Sequence, residues 1–430
     1  MDLMIKEIIT NMKVLRSLKS NVWLKTSQLE ELQERKFKML LNHAYHNVPY
    51  YRHLFDSIKL KPEDIKDCKD MSKIPITTKP QIQKMKDEMV ARNINVWVEH
   101  KTSGSTGISL VIPSTMEDAI YSRGMYERAR VENGFRILRD SLAYIFSPFL
   151  RIAETKKWHE IFGIRRKEII NVFEPLDKQI EKLKKVRPDA LWGYASAIKL
   201  LAKIIEERKI EGISPRLIFT CSELLDPETR HLINSAFNVN LINVYAAWES
   251  GCMAWECSEH AGYHMNMDQV LMEFVDENGE KVKRGERGKV IITNLHSFAM
   301  PIIRYELGDY AIPTYEECRC SRGGYLLKGV EGRCDDFIKL SDNRLVAPPI
   351  LWSIMKSIQG ISEFQIVQEK EDEIAVYIVK LEEFRDVSVF GEVEKEFMKI
   401  LGSDISISTK IVERIEREKS GKLRSVISRI

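Results

Sequence analysis

The chain has 430 residues, 44% of them hydrophobic, enough for a sizeable buried core and at least two domains. Its 66 Lys and Arg against 63 Asp and Glu leave a net charge of only +3, which excludes a dominant basic field for nucleic acid or an anionic membrane and points to a small-molecule partner. No stretch offers the roughly 20 uncharged apolar residues of a membrane-spanning helix, and residues 1–19 lack the apolar run of a secretion signal, so the expected setting is cytoplasmic.

The first ninety residues read as helices broken by turns, with Leu29, Leu32, Phe37, Leu40, Leu41, Ala44 and Tyr45 close to amphipathic spacing. From about Val98 the texture changes. Short apolar runs at Leu142 to Phe146, Leu217 to Thr220 and Leu241 to Tyr245 alternate with charged helical stretches such as Asp177 to Lys185, an α/β layout. Past Gly262 strands and tight turns follow, including Val270 to Val275, the turn Asp276 to Glu280, and Lys289 to Asn294, which predict a β-rich subdomain. A hinge is expected near Gly332. Beyond it Phe364 to Gln368, Glu373 to Val379, the helical Val389 to Leu401 and the strand-like Ile405 to Val412 predict a compact α+β unit.

The segment Thr102, Ser103, Gly104, Ser105, Thr106, Gly107 follows a strand-like run and is all small, hydroxyl-bearing or glycine. Such a loop can bring backbone N–H groups and hydroxyls against phosphate oxygens, because nothing bulky intervenes. It lacks the Gly-Lys-Ser/Thr ending of the nucleotide triphosphatase loop. Alone it serves equally well as an ordinary flexible turn.

Further segments follow in a fixed order, and together with this loop they resemble the acyl-adenylate-forming superfamily, in its phenylacetate–CoA ligase-like branch that includes capsular polysaccharide biosynthesis proteins. Pro75 to Lys79 is similar to a segment typical of that branch. Thr220, Cys221, Ser222, Glu223 resembles the Gly-Gly-Glu loop beside the adenine, with Cys221 and Ser222 in place of glycines. Tyr245, Ala246, Ala247, Trp248, Glu249 resembles Tyr-Gly-x-Thr/Ser-Glu, with Ala246 for the glycine and Trp248 for the hydroxyl residue. The segment from Pro301 to Asp309, with Arg304, Tyr305, Gly308 and Asp309, matches Arg-Tyr-x-x-Gly-Asp; Gly332 to Lys339 resembles the Gly-Arg-x-Asp-Asp hinge; and Arg417 to Arg424 resembles the terminal Gly-Lys loop.

The resemblance implies a fold and a set of roles. The fold would be a large multi-layer α/β N-terminal domain over residues 1–331, with a helical region at about 1–95 and a β-rich subdomain at about 250–331, then a small mobile α+β domain at 332–430. ATP would lie on the 102–107 loop, beside Ser222, Glu223 and Tyr245, with its ribose on Asp309 and with Arg333 in contact. Glu249 would hold Mg²⁺, which needs only one or two carboxylates beside phosphates and water. Arg304 would belong to the catalytic set, and Lys422 would be the adenylation lysine, stabilising the charge that builds on the α-phosphate. A rotation about the hinge would let one site serve both half-reactions.

The implied chemistry is ATP-dependent conversion of a carboxylic acid to its acyl-adenylate, then acyl transfer to a thiol or amine. Coenzyme A is the commonest acceptor in such enzymes, and nothing in the sequence separates it from a carrier-protein thiol or an amine. Aromatic runs at Tyr144 to Phe149, Trp192 to Tyr194 and Tyr245 to Trp248 are candidates for the acyl pocket. Relatives in this branch are often dimers, which leaves a homodimer open. The competing reading is a non-catalytic nucleotide- or acyl-binding protein that retains the fold.

Seven cysteines are too few and too unevenly placed for a secreted disulfide framework. Cys257, with His260 three residues on and His264 beyond, and the pair Cys318 and Cys320 bring soft ligands at short spacings that suit tetrahedral structural zinc. The fourth ligand is either His260 or His264, and the linear sequence does not choose. A Cys-rich set without an open position or nearby base opposes a zinc hydrolase.

Overall fold

A computed structural model describes the chain apart from residues 1, 102–109, 148–166, 315, 334–335, 342–343, 357, 359–360, 381–387, 403–404 and 419–420. The hairpin β1 (Val98–Lys101) and β2 (Val111–Ser114) brackets the Thr102 to Gly107 loop, which lies outside the described residues. An eleven-stranded sheet runs through the body of the molecule. Its first half is β3 (Leu142–Phe146), β4 (Lys167–Asn171), β5 (Ala190–Gly193), β6 (Leu217–Cys221) and β7 (Ile242–Ala247), all pairing in parallel. Helices Leu176–Val186, Ala195–Glu207 and Pro227–Phe237 make the crossovers.

These strands are near-continuous apolar runs because both faces are covered, and β3 and β5 are buried at every position. Of the crossover helices, Pro227–Phe237 carries a side-chain cap. Asp226 accepts a hydrogen bond from the Thr229 N–H, and Pro227 takes the first helical position, where no amide donor is needed.

After β7 the sheet turns antiparallel through β8 (Gly251–Glu256), β9 (Tyr263–Met265), β10 (Val270–Val275), β11 (Gly288–Asn294), β12 (Tyr305–Thr314) and β13 (Leu326–Arg333). The β-rich segment predicted from sequence is therefore the second half of this one sheet, continuous with the parallel half through the β7–β8 pair. Helices Thr26–Asn47 and Pro49–Ser57 pack on that half. Leu29, Phe37, Leu40, Leu41 and Ala44 are buried, four of them in one cluster with Val290, Ile292 and Ile303. Tyr45 packs at its margin, and Leu32 is half-buried.

Past the short pair β14 (Ile338–Lys339) and β15 (Leu345–Val346), a separate four-stranded sheet is built from β16 (Ile361–Lys370), β17 (Glu373–Lys380), β18 (Ser406–Ile411) and β19 (Val426–Ser428). Helix Ser388–Leu401 contributes Val393, Phe397 and Leu401 to its own apolar cluster with Ile366, Val376 and Ile378. This is the expected α+β unit, with its own core.

Candidate active site

Among the described residues, several of those singled out from sequence lie at the carboxyl ends of the parallel strands, where an open α/β sheet leaves a crevice. Ser222 and Glu223 leave β6, Tyr245 lies two residues before the end of β7, and Glu249 lies in the turn where the sheet changes from parallel to antiparallel. Across this point β12 and β13 set Asp309 directly opposite Arg333 in register.

The polar centre is compact. The Tyr245 hydroxyl donates to Asp309 Oδ2 at 2.7 Å, and Arg333 Nε lies 3.8 Å from Asp309 Oδ1. Burial pushes the Asp309 carboxyl up to about 6, against the pull of Arg333 and the Tyr245 hydrogen bond, and the charges of Glu249 and Asp336 add to the rise. Burial likewise raises Glu249, with Lys79 and Arg333 opposing it, and the Tyr305 hydroxyl lies 3.5 Å from Glu249 Oε1. Burial also raises Asp336, which Arg424 opposes by donating to its Oδ1 at 2.6 and 2.9 Å. Three largely buried carboxylates thus face the guanidiniums of Arg333 and Arg424 and the ammonium of Lys79, an arrangement that keeps them available to accept hydroxyl donors.

Lys79 owes its place near Glu249 to backbone pairing. Thr77 donates to the Arg304 carbonyl and accepts from the Glu306 N–H, at 2.8 and 2.9 Å, so the Pro75 to Lys79 segment is laid along the start of β12. The sequence alone assigns Lys79 no role.

The terminal loop reaches the same crevice. Gly421 has φ +86°, and a Cβ there would stand 2.8 Å from Val172 Cγ2, 3.2 Å from Ser147 Cβ and 3.3 Å from the Tyr194 ring, so only glycine lets the chain approach this closely. Next to it, the charge of Lys422 is felt by the buried Cys221 thiol at the end of β6. The Leu423 N–H donates to Glu223 Oε1 at 2.8 Å, and Arg417 Nη1 donates to Ser196 Oγ at 2.7 Å.

Other expected residues take different places. Arg304 is buried and left-handed, with φ 46°; its Nε donates to Glu273 Oε2 at 2.9 Å and its Nη1 to the Ile74 carbonyl. Those contacts make it a clasp between β10, β12 and the Ile74 turn, turned from the Asp309 carboxylate that shares its motif. Trp248, where the resembling segment has a hydroxyl, is 40% exposed and stacks on His100 of β1 at 5.7 Å. Ser222 also adopts a left-handed conformation, φ 68°, which explains glycine at the corresponding place in the resembling loop.

Of the aromatic runs, Tyr144, Phe146, Trp192 and Tyr194 share one face of the sheet and are all buried. Tyr144 and Trp192 serve as core: Arg130 Nη1 donates to the Tyr144 hydroxyl at 3.1 Å and its guanidinium lies over the Trp192 ring. Phe146 and Tyr194, edge to face at 4.7 Å, end nearer the crevice. Phe149 lies outside the described residues.

Away from this crevice, Cys257, His264, Cys318 and Cys320 bring one ligand atom each to within 4.8 Å of one another. Cys257 Sγ is 3.6 Å from Cys318 Sγ, and Cys320 Sγ is 3.3 Å from His264 Nε2. These spacings fit tetrahedral ligands about 2.0–2.3 Å from one zinc ion. Burial pushes the Cys257 thiol up to about 12 and the His264 imidazole down to about 4, which keeps His264 neutral as a ligand must be. Of the two histidines it is His264 that lies in this cluster, because β9 pairs it with Leu326 and Trp255. His260 instead faces Glu256 and Arg230, at 3.6 and 3.5 Å.

Comparison with known proteins agrees with the fold. Residues 339–429 match the CapK C-terminal domain family. The phenylacetate–coenzyme A ligase of Thermus thermophilus is 26% identical, over 91% of this chain and 87% of that protein. Protein CapK of Staphylococcus aureus is 24% identical, over 94% and 90%. A solved 2-hydroxyisobutyryl-CoA ligase in its postadenylation state, with R3-HIB-AMP, superposes with TM-score 0.80 at 18% identity, over 95% of this chain and 91% of that one. The same ligase in its thioesterification state, with 2-HIB-AMP and CoA, superposes with TM-score 0.65.

Proposed function

We propose that this relative of the phenylacetate–CoA ligases, built on the adenylate-forming fold, uses ATP to convert a carboxylic acid to an acyl-adenylate and then transfers the acyl group to the thiol of coenzyme A. The observation that carries the reading is the convergence of Asp309, Arg333, Glu249 and the Lys422 loop on one crevice, though they come from four separate parts of the chain. No covalent enzyme intermediate is needed, so the protein supplies positioning and electrostatics.

Each group has a task. Asp309, held by Tyr245, accepts hydrogen bonds from the ribose hydroxyls. Glu249 is the carboxylate that would hold Mg²⁺, whose charge offsets that of the phosphates. Arg333 keeps the carboxylates apart in charge and contacts the nucleotide. Lys422 stabilises the negative charge that develops as the acid attacks the α-phosphate, a contribution larger in the transition state than in the ground state. The Thr102 to Gly107 loop is assigned to the phosphates on its composition. The docked Lys422 loop, and the higher TM-score with the postadenylation state, support reading this arrangement as the adenylating one.

The small domain beyond Gly332 would then rotate to admit the acceptor. Gly332, at φ 117°, faces Leu224 so closely that a Cβ would lie 2.9 Å from its Cδ1. The Cys257, His264, Cys318 and Cys320 cluster would bind structural zinc, tying the β8–β9 turn to the Cys318 to Cys320 turn; its four protein ligands leave no open catalytic position.

Incubation with ATP, Mg²⁺, coenzyme A and panels of aryl, fatty and hydroxy acids, read by mass spectrometry, tests the reading. Acid-dependent acyl-CoA and AMP are expected. AMP with acyl-adenylate but no thioester would move the acceptor to an amine or carrier thiol.

A further inference from the structure

Glu223 is expected from sequence to line the nucleotide site, and within that crevice its carboxylate is already taken up by protein donors. Its Oε1 accepts from the Leu423 N–H at 2.8 Å and from Ser196 Oγ at 3.0 Å, and its Oε2 accepts from the Ser196 N–H at 2.8 Å. Three of the roughly four acceptor positions of a carboxylate are thereby filled by protein. Ser196 Oγ in turn accepts from Arg417 Nη1 at 2.7 Å, and the same Nη1 closes the loop on the Gly421 carbonyl at 3.1 Å. Two residues of the terminal unit, Arg417 and Leu423, bracket Lys422 and are both bonded to the pair formed by Glu223 after β6 and Ser196 at the start of helix Ala195–Glu207.

We propose that Glu223 and Ser196 form a latch that seats the Lys422 loop for adenylation and whose release accompanies rotation of the small domain. The proposal rests on the ligase reading and assigns Glu223 as a positioning residue rather than an adenine contact. Two features favour a latch over ordinary packing. The bonds join the two units at the loop that carries the reactive lysine, and they involve a carboxylate and a guanidinium, whose hydrogen bonds are strong when made and readily replaced by water when the units part. The hinge is tied to the same loop from its other side, since Arg424 donates to Asp336, whose Oδ2 lies 3.4 Å from the Arg333 N–H.

Glu223→Gln and Arg417→Gln test it, each compared with wild type in both half-reactions. The kcat for pyrophosphate release should fall about tenfold or more with KM for ATP nearly unchanged, while thioester formation from supplied acyl-adenylate stays at the wild-type rate. The double variant should be little worse than either single one, because both open one latch. Independently of any substrate, trypsin should cut the substrate-free variants faster at Lys422 and Arg424, the sites that both variants retain. Wild-type cleavage rates in both variants, or a raised KM for ATP with kcat preserved, would overturn the latch. A wild-type chain that activates no acid would instead count against the ligase reading and leave the cleavage comparison standing.

Discussion

The Tyr245 hydroxyl donates a 2.7 Å hydrogen bond to Asp309, joining the end of the last parallel strand to the antiparallel half of the sheet. This bond and Arg333 both favour the charged carboxylate, but burial outweighs them and holds Asp309 near 6. As pH falls through about 6 the carboxylate takes up a proton and loses part of its capacity to accept from the ribose. KM for ATP is expected to rise below that pH, and Tyr245→Phe, which removes one charge-stabilising bond, should move the inflection upward. A pH series of KM for the two proteins checks both statements.

The same raised value has a consequence for stability. An acid whose folded pKa exceeds its unfolded value destabilises the fold above the folded pKa, and this loss disappears as pH falls towards the unfolded value. Asp309→Asn should therefore stabilise the ligand-free protein at pH 7 by about 1–3 kcal/mol while abolishing tight ATP binding. Thermal melts at pH 7 and pH 4.5 measure it, the difference between variant and wild type shrinking at the lower pH.

Arg304→Ala separates a clasp from a catalytic group. Removing it leaves Glu273, mostly buried, without its partner, which typically costs 3–5 kcal/mol. The expected variant melts well below wild type, and any folded fraction at low temperature retains adenylation with near-normal kcat. A normal melt with lost kcat would return Arg304 to the catalytic set.

Gly421→Ala should lift the terminal loop, because the new Cβ meets Val172, Ser147 and Tyr194 and the backbone is left-handed. Adenylation should fall roughly 10- to 100-fold with little change in melting temperature. Thioester formation from supplied acyl-adenylate checks that the other half-reaction survives.

Purified protein should carry about one zinc per chain. His264→Ala, Cys257→Ser and Cys320→Ser should each lose it, and His260→Ala should keep it. Elemental analysis gives the ratio, and chelation should lower the melting temperature without changing the residual kcat for pyrophosphate release.

Much of this site can be read from sequence where chemistry crowds into a short segment. Asp309 and Arg333 carry distinctive neighbours, and pairing of β12 with β13, which no sequence feature announces, places them opposite each other. Strand limits at β3 coincide with the predicted apolar run, because burial on both faces leaves an unbroken signal, and those of β10 coincide too although Met272 and Glu273 are only partly buried. What eludes sequence is set by pairing between distant segments. His264 rather than His260 is chosen by β9 register, and Arg304 turns away from Asp309 through a left-handed backbone that its motif does not announce. Ser196 has no chemical signature at all, and acquires its place only because helix Ala195–Glu207 begins beside Glu223. Tyr144 and Trp192 share the aromatic pattern of Phe146 and Tyr194, and only their contacts with Arg130 assign them to the core.

The most direct measurement is carboxylate-dependent release of pyrophosphate from ATP across aryl, fatty, hydroxy and amino acids, with wild type beside Lys422→Ala. Release with a restricted set of acids, reduced at least a hundredfold in the variant, is the expected result, on the order of one transition-state charge contact. ATP binding without pyrophosphate release for any acid, or release indifferent to Lys422, would contradict adenylation at this crevice and favour a nucleotide-binding protein that keeps the fold without the chemistry.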